Sequence, residues 1–280
     1  MKSLLLVFAL LALVPIYSMA QEPAPPSSEI SVQARYELSL GALAYKERKF
    51  EKAEEHFKRA LSLVPADAYA MRILARTLHQ QYLAKRTHEK NIRKGEEAIE
   101  IYQRILIADT NDEATNRAVA HLLELIRGEK ARDEWLIRRS EDEKVKAEYR
   151  ADALTSLASR KYNCVSKITE TSKKTVEEGD EIVYVFEKPE ESEEFDTAKQ
   201  CAEEGLKLIN RALELNETDD SAWSYKASLL IQKGRLAEME GNIAERDKFR
   251  LEGELAKKRF LDLSEEKNKI NQESSKPNNR

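Results

Sequence analysis

Glycine and proline are scarce in this chain, eight and seven among 280 residues. Such a low density of turn formers excludes collagen-like and turn-dense all-β architectures. The prolines fall in the first segment, the terminal stretches or expected connections. Cysteine is rarer still, with only Cys164 and Cys201, and no Cys-x-x-Cys exists. A thioredoxin-like redox role is therefore not expected. The four histidines, His56, His79, His88 and His121, form neither His-x-x-x-His nor His-Glu-x-x-His, so no metal site is expected. There is no glycine-rich phosphate loop and no Gly-x-Ser-x-Gly. Acidic neighbours such as Glu54-Glu55 and Glu203-Glu204 point apart on a helix. No catalytic constellation results, and the expectation is a protein that is not an enzyme and carries no cofactor. Neither sign of charge dominates: 47 basic residues stand against 51 acidic ones, net −4. That balance argues against nucleic acid as a partner.

What the chain does have begins at its first residues. Lys2 precedes an apolar run over residues 4–17, and Ser18-Met19-Ala20 supplies small residues after it. This is the layout of a secretory signal peptide cut before Gln21. The run is shorter than the roughly 20 residues of a spanning helix, and no second run of that length follows. Residues 1–20 are thus expected to be removed, leaving an exported chain, periplasmic or secreted, with no transmembrane segment. No cysteine follows the run, which argues against a lipid-modified N-terminus. Residues 21–30 read as a Pro/Ser linker and residues 264–280, poor in large apolar groups, as a disordered tail. Between them, abundant Ala, Leu, Glu and Lys favour long solvated helices.

Internal periodicity organises residues 31–263. Gly41, Phe50, Ala53, Phe57, Ala60, Leu61 and Pro65 alternate small and aromatic residues and end on proline. Two helices cross closely only where side chains are small, and an aromatic fills the adjoining hole. The small residues recur: Ala53 and Ala75, Ala98 and Ala120, Ala131 and Ala153, Gly205 and Ala227 are each 22 residues apart. Four residues after each second-helix anchor come Phe57, Tyr102, Trp135 and Ile209, and Trp223 precedes Ala227 by four. The pattern resembles the tetratricopeptide repeat. It departs from it at Arg138-Arg139, where Ala-Leu is usual, and at Thr110 and Glu217 in place of the terminal proline. The resemblance implies an all-α fold, a right-handed α-α superhelix (solenoid) of about five helix pairs. The second and fourth repeats would carry insertions of about 11 and 40 residues relative to the family period.

The larger insertion, about residues 166–193, holds the only stretch that reads as strand, residues 182–186, Ile-Val-Tyr-Val-Phe. With residues 171–176 it would form a small β-hairpin, as a cover for the helices or as an edge that pairs with a partner strand. Cys164 and Cys201 lie at facing helix ends at the base of this insertion. In an oxidising compartment a disulfide is expected there; two buried free thiols are the other reading.

In the family that the chain resembles, first helices line a concave surface that holds a peptide. Residues three before and one after each small anchor share a face there. They are Arg72 and Arg76, Arg117 and His121, then Arg150, whereas Leu38, Ala42, Ser224 and Ser228 occupy the outer repeats. Leu38 and Ala42 also stand where some members grip a terminal carboxylate with Lys and Asn, which speaks against that clamp. The five central residues are the candidate partner-binding set, directed at an acidic segment of a protein or peptide. The alternative is ordinary surface arginine paired with neighbours such as Glu124. The function expected is a protein-binding scaffold or adaptor outside the cytoplasm. A structural assembly factor of the cell envelope or secretion machinery, or a module associated with an envelope enzyme, are the other readings.

Overall fold

The structure, a computed structural model, describes residues 28–178 and 181–274. The expected leader, and the linker up to residue 27, lie outside the described residues. Among those described are ten helices and one hairpin. In chain order they are α1 (Ser28–Lys46), α2 (Phe50–Leu63), α3 (Ala68–Ala84), α4 (Glu89–Ala108), α5 (Glu113–Arg127) and α6 (Glu129–Glu141), then α7 (Ala147–Thr171), β1 (Lys173–Glu178), β2 (Glu181–Phe186), α8 (Ser192–Leu215), α9 (Asp220–Met239) and α10 (Ile243–Ser274). The helices pack as five consecutive pairs, each leaning on the next, and α7 also meets α9.

The pairs pack through the small and aromatic residues that recur in the sequence. Ala53, Ala75, Ala98, Ala120, Ala153 and Ala227 are all buried. A Cβ added to Gly41 would lie 2.5 Å from the ring of Phe57, which is itself 0% exposed. Glycine at that crossing lets α1 and α2 approach, and Phe57 occupies the space a side chain would have taken. One turn recurs between repeats: the amides of Asp67, Asp112, Val145 and Asp219 donate to the carbonyls of Val64, Asp109, Asp142 and Asn216, three residues earlier, at 3.0–3.3 Å. Asp67, Asp112 and Asp219 then cap α3, α5 and α9 through their side chains. A carboxylate there satisfies amides that have no partner within the helix and sits favourably at its positive end.

Both insertions are absorbed largely by helix growth. In the second pair α3 and α4 reach 17 and 20 residues, against 14 in α2. In the fourth, α7 extends to Thr171 and α8 begins at Ser192, so the expected insertion over 166–193 narrows to the hairpin and its flanks. The hairpin pairs Lys173 with Phe186 through to Glu178 with Glu181, antiparallel, and β2 leans on α9. Thr171, expected at the start of the partner strand, belongs to α7 instead. Phe186 lies under the guanidinium of Arg235 at 4.5 Å, which anchors the hairpin to α9. Cys164 and Cys201 are disulfide-bonded across α7 and α8, with Cα atoms 6.2 Å apart.

Both terminal boundaries shift from the sequence expectation. Helix α1 starts at Ser28, inside the expected Pro/Ser linker, because helix-compatible residues follow the linker's last proline, Pro26. Helix α10 continues to Ser274, through residues expected as tail. Ion pairs substitute for apolar contacts there: Lys267 meets the Asp220 carboxylate at 3.2 and 3.3 Å, and Lys269 meets Glu265 one turn away at 2.7 Å. Composition alone undercounts such a helix, since charged good helix formers look like disorder when apolar residues are tallied.

The core is divided. One buried cluster joins α1 through α5 around Phe57, Leu78, Ile99 and Leu122. A second joins α7, α8 and α9 around Leu154, Phe195, Ile209 and Leu229. Between them a small cluster of Ala120, Leu136, Ala153 and Leu157 makes the junction at the third pair.

Candidate partner-binding groove

The first helices of the third, fourth and fifth pairs, α5, α7 and α9, line a groove of about 700 Å³. Arg117 and His121 enter it from α5, and Asp152 from α7. Asp219, which caps α9, and Lys267 of α10 border the same space. Each side chain faces the groove for a local reason: the small anchor beside it is buried against a neighbouring helix, so the adjacent turn positions point away from the packing interface. Arg117, His121 and Asp152 are exposed. Neither Arg117 nor Asp152 makes an ion pair or side-chain hydrogen bond among the described residues.

Of the five residues proposed from sequence, the structure brings two into this groove, Arg117 and His121. Arg76 is exposed on α3 and likewise unpaired among the described residues. Arg72 is engaged: its Nη1 donates to the Asp112 carboxylate and, at 3.1 Å, to the Thr115 hydroxyl. It ties α3 to the start of α5. Arg150 is engaged too, with Nε donating 2.9 Å to the Ser140 carbonyl across the α6–α7 connection. Glu124 pairs with Arg132 and Arg160, at 3.6 and 3.7 Å. Arg76, Arg117 and His121 make no ion pair or side-chain hydrogen bond among the described residues, whereas the cap of α5 holds Arg72 and a carbonyl of the preceding helix α6 holds Arg150.

Side chains of both signs line the groove. Asp152, Asp219 and Glu113 give it acidic character that spacing from the anchors missed. Although the residue as a whole is exposed, the groove walls strip solvent from the Asp152 carboxyl, and with Asp219 and Glu113 beside it this pushes its pKa up to about 6, with Arg117 opposing. The Asp219 carboxylate is held by Ser221 N–H at 2.9 Å and the Thr155 hydroxyl at 3.3 Å. Glu113 accepts from Asn116 at 3.0 Å and from Arg139 at 2.8 Å. A readable signal existed: Asp67, Asp112 and Asp219 each stand eight residues before a small anchor, Ala75, Ala120 and Ala227.

His121 lies tilted beside His79 of α3, ring centroids 5.7 Å apart. The Nε2 of His79 is buried without a hydrogen-bond partner. Burial, with a smaller push from His121, lowers its pKa to about 4, so that ring is neutral at pH 7. Among the described residues no group of three or more His, Cys, Asp or Glu side chains could hold a metal ion, and no helix is long and apolar enough to cross a membrane.

No family model and no curated protein matches the chain. Solved structures with similarity include a MamA protein, 16% identical, TM-score 0.39, covering 85% of this chain and 94% of that one. A second is PilF of Pseudomonas aeruginosa, 13% identical, TM-score 0.36, covering 85% of this chain and 99% of that one. A third is yeast Tom70, 13% identical, TM-score 0.32, covering 82% of this chain and 48% of that one.

Proposed function

We propose that this chain is a non-catalytic scaffold, exported from the cytoplasm, that holds a segment of a partner protein in the groove between α5, α7 and α9. The observation that carries the reading is the pair Arg117 and Asp152: opposite charges on neighbouring first helices, facing one groove, neither committed to a bond inside the protein. The groove suits a segment of mixed charge, with a carboxylate toward Arg117 and His121 and a cation toward Asp152 and Asp219. Arginine fits the first task because its planar fork donates twice to one carboxylate. The helices beneath are fixed by the divided core, so ordering costs on this side are small. Export is supported by the layout of residues 1–20 and by the Cys164–Cys201 bond.

The test is affinity capture from an envelope fraction, followed by titration of the captured partner. Replacing Arg117 and Asp152 with Ala together should weaken binding while leaving the melting temperature nearly unchanged. Rising salt should weaken it as well. A partner that binds the double variant as tightly as the parent protein at physiological salt would exclude the groove.

A further inference from the structure

The sequence departs from its own repeat pattern at Arg138-Arg139, and the groove does not use either residue. A pocket of about 410 Å³ opens beside them, lined by Leu106 and Ile107 of α4, Trp135 of α6 and Val145 of the following turn. It shares no lining residue with the groove. Its apolar wall is open: Ile107 is 82% exposed at its mouth. The polar end of Trp135 is already committed, because Nε1 donates 2.8 Å to Asn116 Oδ1. What the pocket receives from that side chain is therefore ring surface.

The two arginines have separated roles around this wall. Arg139 turns inward, its side chain 5% exposed, and donates to the Thr110 carbonyl at 3.0 Å and to Glu113 at 2.8 Å. It also lines the pocket, and its Nε has no acceptor. A buried N–H without an acceptor is costly. Arg138 turns outward, its guanidinium carbon 5.9 Å from the Trp135 ring centre. Lys144 stands exposed on the same rim. Neither Arg138 nor Lys144 makes an ion pair among the described residues. The nearby acid, Asp142, has one carboxylate oxygen taken by the Lys144 amide at 3.0 Å. The site is thus an apolar pocket with an unpaired cationic rim.

We propose that this pocket docks a partner-protein segment presenting one branched or aromatic side chain beside a carboxylate. The apolar side chain enters between Ile107 and Trp135. The carboxylate sits between Arg138 and Lys144, where charge-assisted bonds complement the rim. The volume suits one large side chain and its flanking backbone. Through the bond from Arg139 to Glu113, the pocket and the groove are joined by one side chain.

The experiment is to pan a random heptapeptide library against the full chain and measure the enriched peptides by fluorescence anisotropy. The expected peptides place an aromatic or branched residue within two positions of Asp or Glu. Their affinity should fall at least about tenfold in Arg138→Glu/Lys144→Glu, and likewise in Ile107→Asp, as it does when an anchor at an interface is removed. These positions are exposed, and an unchanged circular dichroism spectrum would verify folding. Binding should be unaffected in Arg117→Ala/Asp152→Ala. Peptides without the apolar–acidic pattern, peptides indifferent to Arg138→Glu/Lys144→Glu, or no enrichment at all would overturn the proposal. Peptides lost only in Arg117→Ala/Asp152→Ala would overturn it too, while supporting the groove.

Discussion

Arg139 of α6 donates from Nη2 to Glu113 of α5 at 2.8 Å, in an ion pair whose side chains are 5% and 15% exposed. The pattern of the repeat would place an apolar residue there, so a charge pair stands at the junction between the two larger cores. Breaking it by Arg139→Ala leaves Glu113 poorly solvated, and a loss of about 3 kcal/mol is expected. Replacing both, Arg139→Met with Glu113→Gln, removes the desolvation cost and should restore most of that loss. Urea unfolding of the single and double variants measures the difference.

Gly41 and Gly253 should respond oppositely to alanine. At Gly41 the new Cβ meets the Phe57 ring at 2.5 Å, and the ring is walled in by the core. Overpacking of that kind costs about 1–3 kcal/mol, which exceeds the roughly 1 kcal/mol gained in helix propensity. At Gly253 the nearest atom is 3.5 Å away, so the propensity gain remains. Thermal melts should show Gly41→Ala lower and Gly253→Ala equal or higher than the parent. Phe57→Ala should cost roughly 3–5 kcal/mol by emptying the same space.

Reduction of the Cys164–Cys201 bond, which spans 37 residues, should lower stability by about 4 kcal/mol on the chain-entropy account. The hairpin should feel this most, since the bond joins the two helices that carry it. Cys164→Ala/Cys201→Ala should become sensitive to limited proteolysis within residues 172–191. The α1–α5 half should show little change in hydrogen exchange, because its core is separate.

His79 makes stability depend on pH. Its pKa falls from the ordinary 6.5 to about 4 on folding. Below pH 6.5 the unfolded chain binds a proton that the folded ring refuses until about pH 4. Stability is therefore lost as the pH falls through that window, and this group adds no further loss below it. Asp152, raised from 3.8 to about 6, acts in reverse, since its folded carboxyl keeps its proton longer as the pH rises. Comparing His79→Phe with the parent cancels the Asp152 contribution. The urea midpoint of the variant should gain on the parent steadily between pH 7 and pH 4, and a histidine titration by NMR should show His79 titrating near 4.

Much of the architecture was legible because helix-pair packing leaves a mark in each repeat. Gly41 and Phe57 must be small and aromatic together, and Ala53 and Ala75 must be small where helices cross. The binding residues left no such mark. Arg72, Arg76, Arg117 and Arg150 look alike by spacing, yet Arg72 meets the Asp112 cap and Arg150 the Ser140 carbonyl. Which arginine stays unpaired depends on acceptors from neighbouring helices. Asp152 escaped notice for the same reason, since its raised pKa comes first from desolvation between packed helices and then from Asp219 and Glu113.

The amino-acid sequence by itself determined the helix pairs, the small and aromatic crossing residues, the strand at residues 182–186 and the candidate cysteine pair. Each depends on short-range periodicity or on a side chain's intrinsic size and shape. Tertiary structure alone decided that the insertions become longer helices, that the core divides at the third pair, and that the groove carries both signs of charge. It also decided that Arg139 is buried while Arg138 stays out. Those outcomes depend on where neighbouring helices place their acceptors and apolar walls, and that distance in space is not encoded in the spacing along the chain.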